Sequence, residues 1–193
     1  MEMQTVYSVL TVSANEKFNI SLRALLNESK FSPVKTVSSV SSARRELLSR
    51  SYDLIMINSP LPDGNGIDLA VDICSQSSSG VMMFIKNERF DDVSGVLTEY
   101  GVLTVPVPTS VSIINQSLRL LCSTRERMKK VEQKTAKLEE KMEEIRIVNR
   151  AKWALIDRYQ MNEATAQRFI EKTAMDECIT KRAVAERIIS TVR

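Results

Sequence analysis

The sequence predicts an α/β fold, a doubly wound parallel five-stranded sheet, followed by a coiled-coil helix and a small three-helix domain. Three observations predict it. Across residues 1–111, short apolar runs rich in β-branched residues alternate with amphipathic stretches. From 112 to 156 the chain has no Gly or Pro and is rich in Leu, Met, Lys, Glu and Arg, which reads as one unbroken helix. Beyond it, a basic segment with two N-cap signals gives two further helices.

Strands are expected at 6–12, 34–37, 53–57, 81–85 and 102–105, and helices at 16–27, 41–48, 66–74 and 89–99, with the long helix as the fifth. Strands and helices in strict alternation call for a mostly parallel sheet covered on both faces, whose binding chemistry sits at the carboxyl ends of the strands. Those ends are therefore the places to search.

After the third strand the chain reads Asn58-Ser59-Pro60-Leu61-Pro62-Asp63-Gly64-Asn65-Gly66. Pro62 pre-sets φ, and Gly64 and Gly66 permit the positive φ of a tight turn into the next helix. The stretch resembles the loop after the third strand of response-regulator receiver domains, which begins with the aspartate that accepts a phosphoryl group. The resemblance implies a receiver-like (flavodoxin-like) domain over 1–111 and also shows what has been lost. Asn58 stands at the phosphoacceptor position with an uncharged amide. The acidic pair that holds Mg²⁺ falls on Ser13 and Ala14, with Glu16 one or two places off. The hydroxyl residue closing the fourth strand falls on Ile85, and the Lys-Pro after the fifth on Val107-Pro108. The expectation is a pseudo-receiver that does not undergo the usual aspartyl phosphorylation.

Within the long helix, Leu121, Thr124, Met128, Val131, Thr135, Leu138, Met142, Ile145 and Asn149 fall at alternating steps of three and four, the a/d seam of a left-handed coiled coil over 112–149. Leu121, Met128, Val131, Leu138, Met142 and Ile145 are its apolar members. In that register Arg127 and Lys134 at g precede Glu132 and Glu139 at e, so a parallel homodimer would meet opposite charge at both pairs. Lys141 with Arg146 is like-charged, and Thr124, Thr135 and Asn149 weaken the seam, so a modest zipper supported by a neighbouring domain is expected. A long surface helix folded back on the first domain fits the same periodicity.

Residues 149–166 read Asn-Arg-Ala-Lys-Trp-Ala-Leu-Ile-Asp-Arg-Tyr-Gln-Met-Asn-Glu-Ala-Thr-Ala, and Ala174-Met175, Ala185 and Ile188 follow at matching spacing. This resembles the ANTAR module, the RNA-binding domain of antitermination regulators, over 150–193. Trp153 stands where glycine is usual, and Ile145 where an arginine is expected. From the residues alone, Asn162 caps a helix over 163–175 and Thr180 one over 181–192. Leu155, Phe169, Ile170, Met175, Val184, Ile188 and Ile189 are the expected core. The alanines at 151, 154, 164, 166, 174, 183 and 185 permit close helix approach. Trp153 is expected in packing; Trp153 and Tyr159 are also the rings able to stack on unpaired bases. Arg150, Lys152, Arg158, Arg168, Lys172, Lys181 and Arg182 are the candidates for phosphate contact.

Charge separates the halves: residues 1–122 carry ten Lys/Arg against twelve Asp/Glu, and residues 123–193 seventeen against twelve. The basic half fits a polyanion such as nucleic acid, and a solvated helical surface carries the same excess equally well. Cys74, Cys122 and Cys178 lie far apart without a CxxC spacing, and there is no histidine, so neither a zinc cluster nor a disulfide framework is expected. No metal, cofactor or catalytic residue is expected, and the chain does not read as an enzyme. No secretory leader pattern or membrane-length apolar run is present, so the expected site of action is the cytoplasm. The ANTAR resemblance implies a homodimeric transcription antiterminator that binds paired stem-loops in nascent leader mRNA, with an inhibitory sensor protein rather than phosphorylation as its control. A non-catalytic dimeric signalling scaffold is the alternative. A DNA-binding response regulator is the weakest, because no helix pair joined by a short Gly-containing turn follows Thr180.

Overall fold

The computed structural model describes residues 5–192. Residues 1–4 and 193, the outermost ends of the expected first and last domains, lie outside the described residues. The chain forms two compact units that divide between Lys130 and Val131.

In the first unit, β1 (Tyr7–Val12), β2 (Phe31–Val37), β3 (Leu54–Asn58), β4 (Gly80–Lys86) and β5 (Leu103–Val107) make one parallel sheet in the order β2-β1-β3-β4-β5. The helices are α1 (Glu16–Leu25), α2 (Val40–Ser49), α3 (Ile67–Gln76), α4 (Asn87–Glu99) and the first part of α5 (Val111–Tyr159). Successive strand residues point to opposite faces, and the two cores follow that period. Ile55 and Ile57 pack with Ala43 of α2, Ala70 of α3 and Leu97 of α4, whereas Leu54 and Met56 pack with Leu22 of α1 and Leu118 and Leu121 of α5. Buried on both faces, β3 and β4 need near-continuous apolar sequence and have it.

The doubly wound α/β expectation holds, with boundaries shifted by one to three residues, the largest shift among the strands being β2, which begins at Phe31 rather than 34. Pro33 breaks the sequence pattern, but β2 lies at the sheet edge, where a missing N–H is tolerated, and its pairing with β1 is irregular at that point.

The seam expected along α5 needs a correction at its first member. Leu121 is only 3 % exposed and packs in the core of the first unit. One turn further on, the Arg125 guanidinium lies 3.3 Å from the Asp53 carboxylate and donates to Ser78 Oγ at 2.9 Å. The sheet therefore claims this part of the helix. Met128, Val131, Leu138, Met142 and Ile145 are all between 43 % and 63 % exposed, so the free part of the stripe starts at Met128.

The second unit contains the rest of α5 with α6 (Glu163–Asp176) and α7 (Lys181–Val192). Asn162 Oδ1 accepts from the Thr165 N–H and Thr180 Oγ1 from the Ala183 N–H, the two caps expected from sequence. The core is built from smaller side chains than expected: Ala151, Leu155, Ala166, Ile170, Ala174, Val184 and Ala185 are buried, with Ile188 and Ile189 among the half-buried residues at its edge. Phe169 and Met175, expected inside, are 44 % and 78 % exposed. Each sits one residue, about 100° of helix rotation, from the buried Ala166, Ile170 and Ala174 line. Alanines on that line let the helices approach closely and leave no room for larger neighbours. Among the described residues no helix is long and apolar enough to cross a membrane.

Candidate nucleic-acid interface

Two places were expected to matter, the carboxyl edge of the sheet and the surface of the second unit. At the sheet edge Asn58 closes β3, and its Nδ2 donates to Ser13 Oγ at 3.1 Å. Ser13 is buried, and its own N–H is held by the Val37 carbonyl of β2. The loop beyond is built as its sequence suggests. Gly66 has φ +77°, and a Cβ there would meet Ile57 Cγ2 at 2.9 Å, so only glycine fits. The Asp63 carboxylate accepts from the backbone N–H groups of Ser41 and Val40 and from the Ser41 hydroxyl, ties the loop to the start of α2, and is held below the usual carboxylate range by those bonds.

A divalent cation does not fit this edge. Ser13 and Asn58 offer a hydroxyl and an amide already bonded to one another, Ala14 offers nothing, and Glu16 is a lone carboxylate on the shallow pocket that Ser13 and Asn19 also line. Ile85 is buried with no hydroxyl to give. Among the described residues no group of three or more acidic, Cys or His side chains could hold a metal.

The second unit carries all seven basic candidates. Arg168 and Lys172, one turn apart, stand on the face of α6 opposite the buried line. Arg150 and Arg158 are exposed on α5. Three candidates pair with carboxylates: Lys152 Nζ is 3.2 Å from Glu163, Lys181 Nζ 2.7 Å from Glu171 and Arg182 Nε 2.8 Å from Glu186. The Lys181 bond draws the Glu171 carboxyl below its ordinary range, and the Glu186 bond raises Arg182.

Three further cations were missed from sequence. Arg187 makes paired bonds of 2.7 and 2.8 Å to Glu177, which lower that carboxyl. Lys137 and Lys141, one turn apart on α5, line a cleft with Arg182 and Thr180 that Glu140 and Glu144 share. Their i,i+4 spacing was the available signal, but Lys141 was read only as a g position of the coil and Lys137 was not singled out. The unit also has an apolar groove of about 380 Å³ lined by Leu155, Tyr159, Phe169, Val184, Ile188 and Arg187, with Tyr159 and Phe169 open to solvent. Trp153, expected in packing, is 70 % exposed.

Residues 136–189 match the family model of the ANTAR domain. The second unit carries an ANTAR domain. The match takes in part of α5 ahead of residue 150 as well as α6 and most of α7, so the cleft lined by Lys137 and Lys141 lies within the ANTAR domain. Among curated proteins the chain is similar to the transcriptional regulatory protein PdtaR of Mycobacterium tuberculosis, with 27 % identity over 140 residues, 72 % of this chain and 68 % of that protein. Among solved structures it is similar to the signal receiver domain of an HD domain-containing protein from Pseudomonas fluorescens Pf-5, with TM-score 0.59 and 17 % identity over 67 % of this chain and 96 % of that one. A structure named adenylate cyclase from Rhodopirellula baltica is similar at TM-score 0.58 and 18 % identity, over 69 % of this chain and 98 % of that one. At such identities the likeness is one of fold. The chain combines an ANTAR domain with a receiver fold.

Proposed function

We propose that this chain is a transcription antiterminator: a homodimer whose two ANTAR domains bind a pair of stem-loops in nascent leader mRNA and so keep a terminator hairpin from forming. The coarse class, a transcriptional regulator of the RNA-binding antitermination kind, rests on the ANTAR match and the likeness to PdtaR. One observation carries the finer reading: the heptad stripe that leads into the ANTAR domain stays exposed in the single chain from Met128 to Ile145. Exposed apolar residues at a/d spacing, with two of three flanking g and e pairs complementary in charge, are what a second helix would cover. Once one domain has bound a stem-loop, the second acts at raised local concentration, so modest affinity per domain suffices.

Arg150, Arg158, Arg168 and Lys172 contribute phosphate contacts on this reading, and Lys152, Lys181 and Arg182 do so by exchanging a carboxylate partner for a phosphate. Control comes through a protein partner, such as an inhibitory sensor, that engages the receiver fold. The Asn58 to Ser13 hydrogen bond fills the place where phosphoryl chemistry would need a carboxylate and a cation. No catalytic step or cofactor belongs to this function, and its place is the cytoplasm, where transcripts are made.

The test is binding of the full chain to a leader RNA with two tandem stem-loops, against a one-loop version and duplex DNA, over a salt series. The expected result is tight binding to the tandem RNA alone. Arg168→Ala with Lys172→Ala should flatten the slope of log affinity against log salt by roughly 0.7–0.9 for each phosphate no longer neutralised. Equal, weak and salt-erased binding to all three would overturn the reading and favour the signalling scaffold.

A further inference from the structure

Trp153, the only tryptophan of the chain, is 70 % exposed on α5 within the ANTAR domain. At 100° per residue it stands about 160° round the helix from Ala151 and Leu155, the residues α5 gives to the core of its own unit. It lies eleven residues beyond Met142, three turns and only about 20° further round, and so continues the exposed stripe of Val131, Leu138, Met142 and Ile145.

The heptad itself cannot continue past Asn149. The next a/d positions are Lys152, whose ammonium is held by Glu163, and Ile156, which packs at the edge of the core of its own unit. A straight helix drifts about 20° per heptad against a 3.5-residue repeat, so beyond Asn149 the outward stripe passes from a/d to the neighbouring e position. That position is Trp153. In a parallel pair an e residue faces the g residue of the preceding heptad across the seam. The g and e pairs of this helix run Arg127 with Glu132, Lys134 with Glu139, Lys141 with Arg146, and then Val148 with Trp153, the one apolar pair, in which Val148 is half-buried at the edge of the core of its own unit and Trp153 is exposed.

We propose that Trp153 is covered by a second copy of this chain, where its indole closes the coiled-coil seam at the start of the three-helix core and shields the Asn149 pair. The proposal rests on the parallel dimer reading above. An apolar clasp at this end compensates for the polar Asn149 and the like-charged Lys141 and Arg146 just before it. RNA is the other occupant that the test distinguishes, since exposed Arg150 stands one turn before Trp153 and exposed Asp157 one turn after it.

A single tryptophan makes the test direct. The emission maximum and acrylamide quenching of the full chain are followed over a dilution series, with sedimentation giving the oligomeric state at each concentration and Leu138→Glu as the monomer reference. The expected result is a blue-shifted, several-fold less quenched indole in the dimer, reverting to the Leu138→Glu values on dilution and unchanged when tandem-loop RNA is added. Trp153→Ala should weaken dimerisation about tenfold and Trp153→Phe much less. A dimer by sedimentation whose tryptophan matches the monomer reference would overturn the proposal while leaving the dimer intact. So would an indole that changes only when RNA is added. No dimer at any concentration would remove the seam reading and this one with it.

Discussion

At the end of β3, replacing one carboxylate oxygen by an amide nitrogen turns an acceptor into a donor. Asn58 donates to the Ser13 hydroxyl, a bond an ionised aspartate could not donate, and the two neutral groups satisfy each other where a receiver would hold charge. A phosphodonor with Mg²⁺ should therefore leave the intact mass of the chain unchanged. Asn58→Asp alone should also fail to form an adduct, because Ser13 and Ala14 still supply no carboxylate for the cation. A labile adduct of phosphoryl mass on the native chain would refute the pseudo-receiver assignment. The identity of Asn58 was legible in sequence, since the Pro and Gly offsets of the loop fix its register. Its partner was not, because β1 and β3 meet only in the folded sheet. Trp153 marks the opposite limit: it was expected in packing, but two residues from each of the buried Ala151 and Leu155 it stands about 160° round the helix and lies outside.

α5 is one element with successive duties, and its apolar residues do not announce which duty they serve. Leu118, Leu121 and Cys122 close the sheet, Met128 to Ile145 stay exposed, and Ala151 and Leu155 build the ANTAR core. The 3,4 spacing that predicts a seam also predicts one face of any amphipathic helix, and for this reason Leu121 was misplaced. The two duties separate by mutation. Leu121→Ala should cost the first unit about 2–5 kcal/mol in denaturant unfolding, with little effect on self-association measured where both units remain folded. Leu138→Glu, at a position 63 % exposed, should abolish the dimer in sedimentation and leave the first unit as stable as before. The reverse pattern, with Leu121→Ala dissociating a folded dimer, would restore Leu121 to the seam.

At the scale of the molecule, the division between Lys130 and Val131 means that one stability does not describe the chain. Trp153 reports the second unit alone, whereas far-ultraviolet circular dichroism reports both, so the two denaturation curves should not coincide. If the proposed dimer forms, the fluorescence midpoint should rise with protein concentration, because association would stabilise the unit that carries the seam, and the other transition should stay fixed. Coincident curves at every concentration would mean that the units unfold as one. Sequence by itself determined what depends on local pattern: five strands and their helices, the unbroken α5, the caps at Asn162 and Thr180, the glycine turn after β3 and the basic character of the second half. Tertiary structure decided what depends on rotation and on distant neighbours. It placed Leu121 in a core and Trp153 in solvent, set four alanines rather than Phe169 and Met175 at the centre of the second unit, and gave Lys152, Lys181 and Arg182 their carboxylate partners. The reason is physical: hydrophobic period fixes which residues share a face, but only packing decides what that face meets.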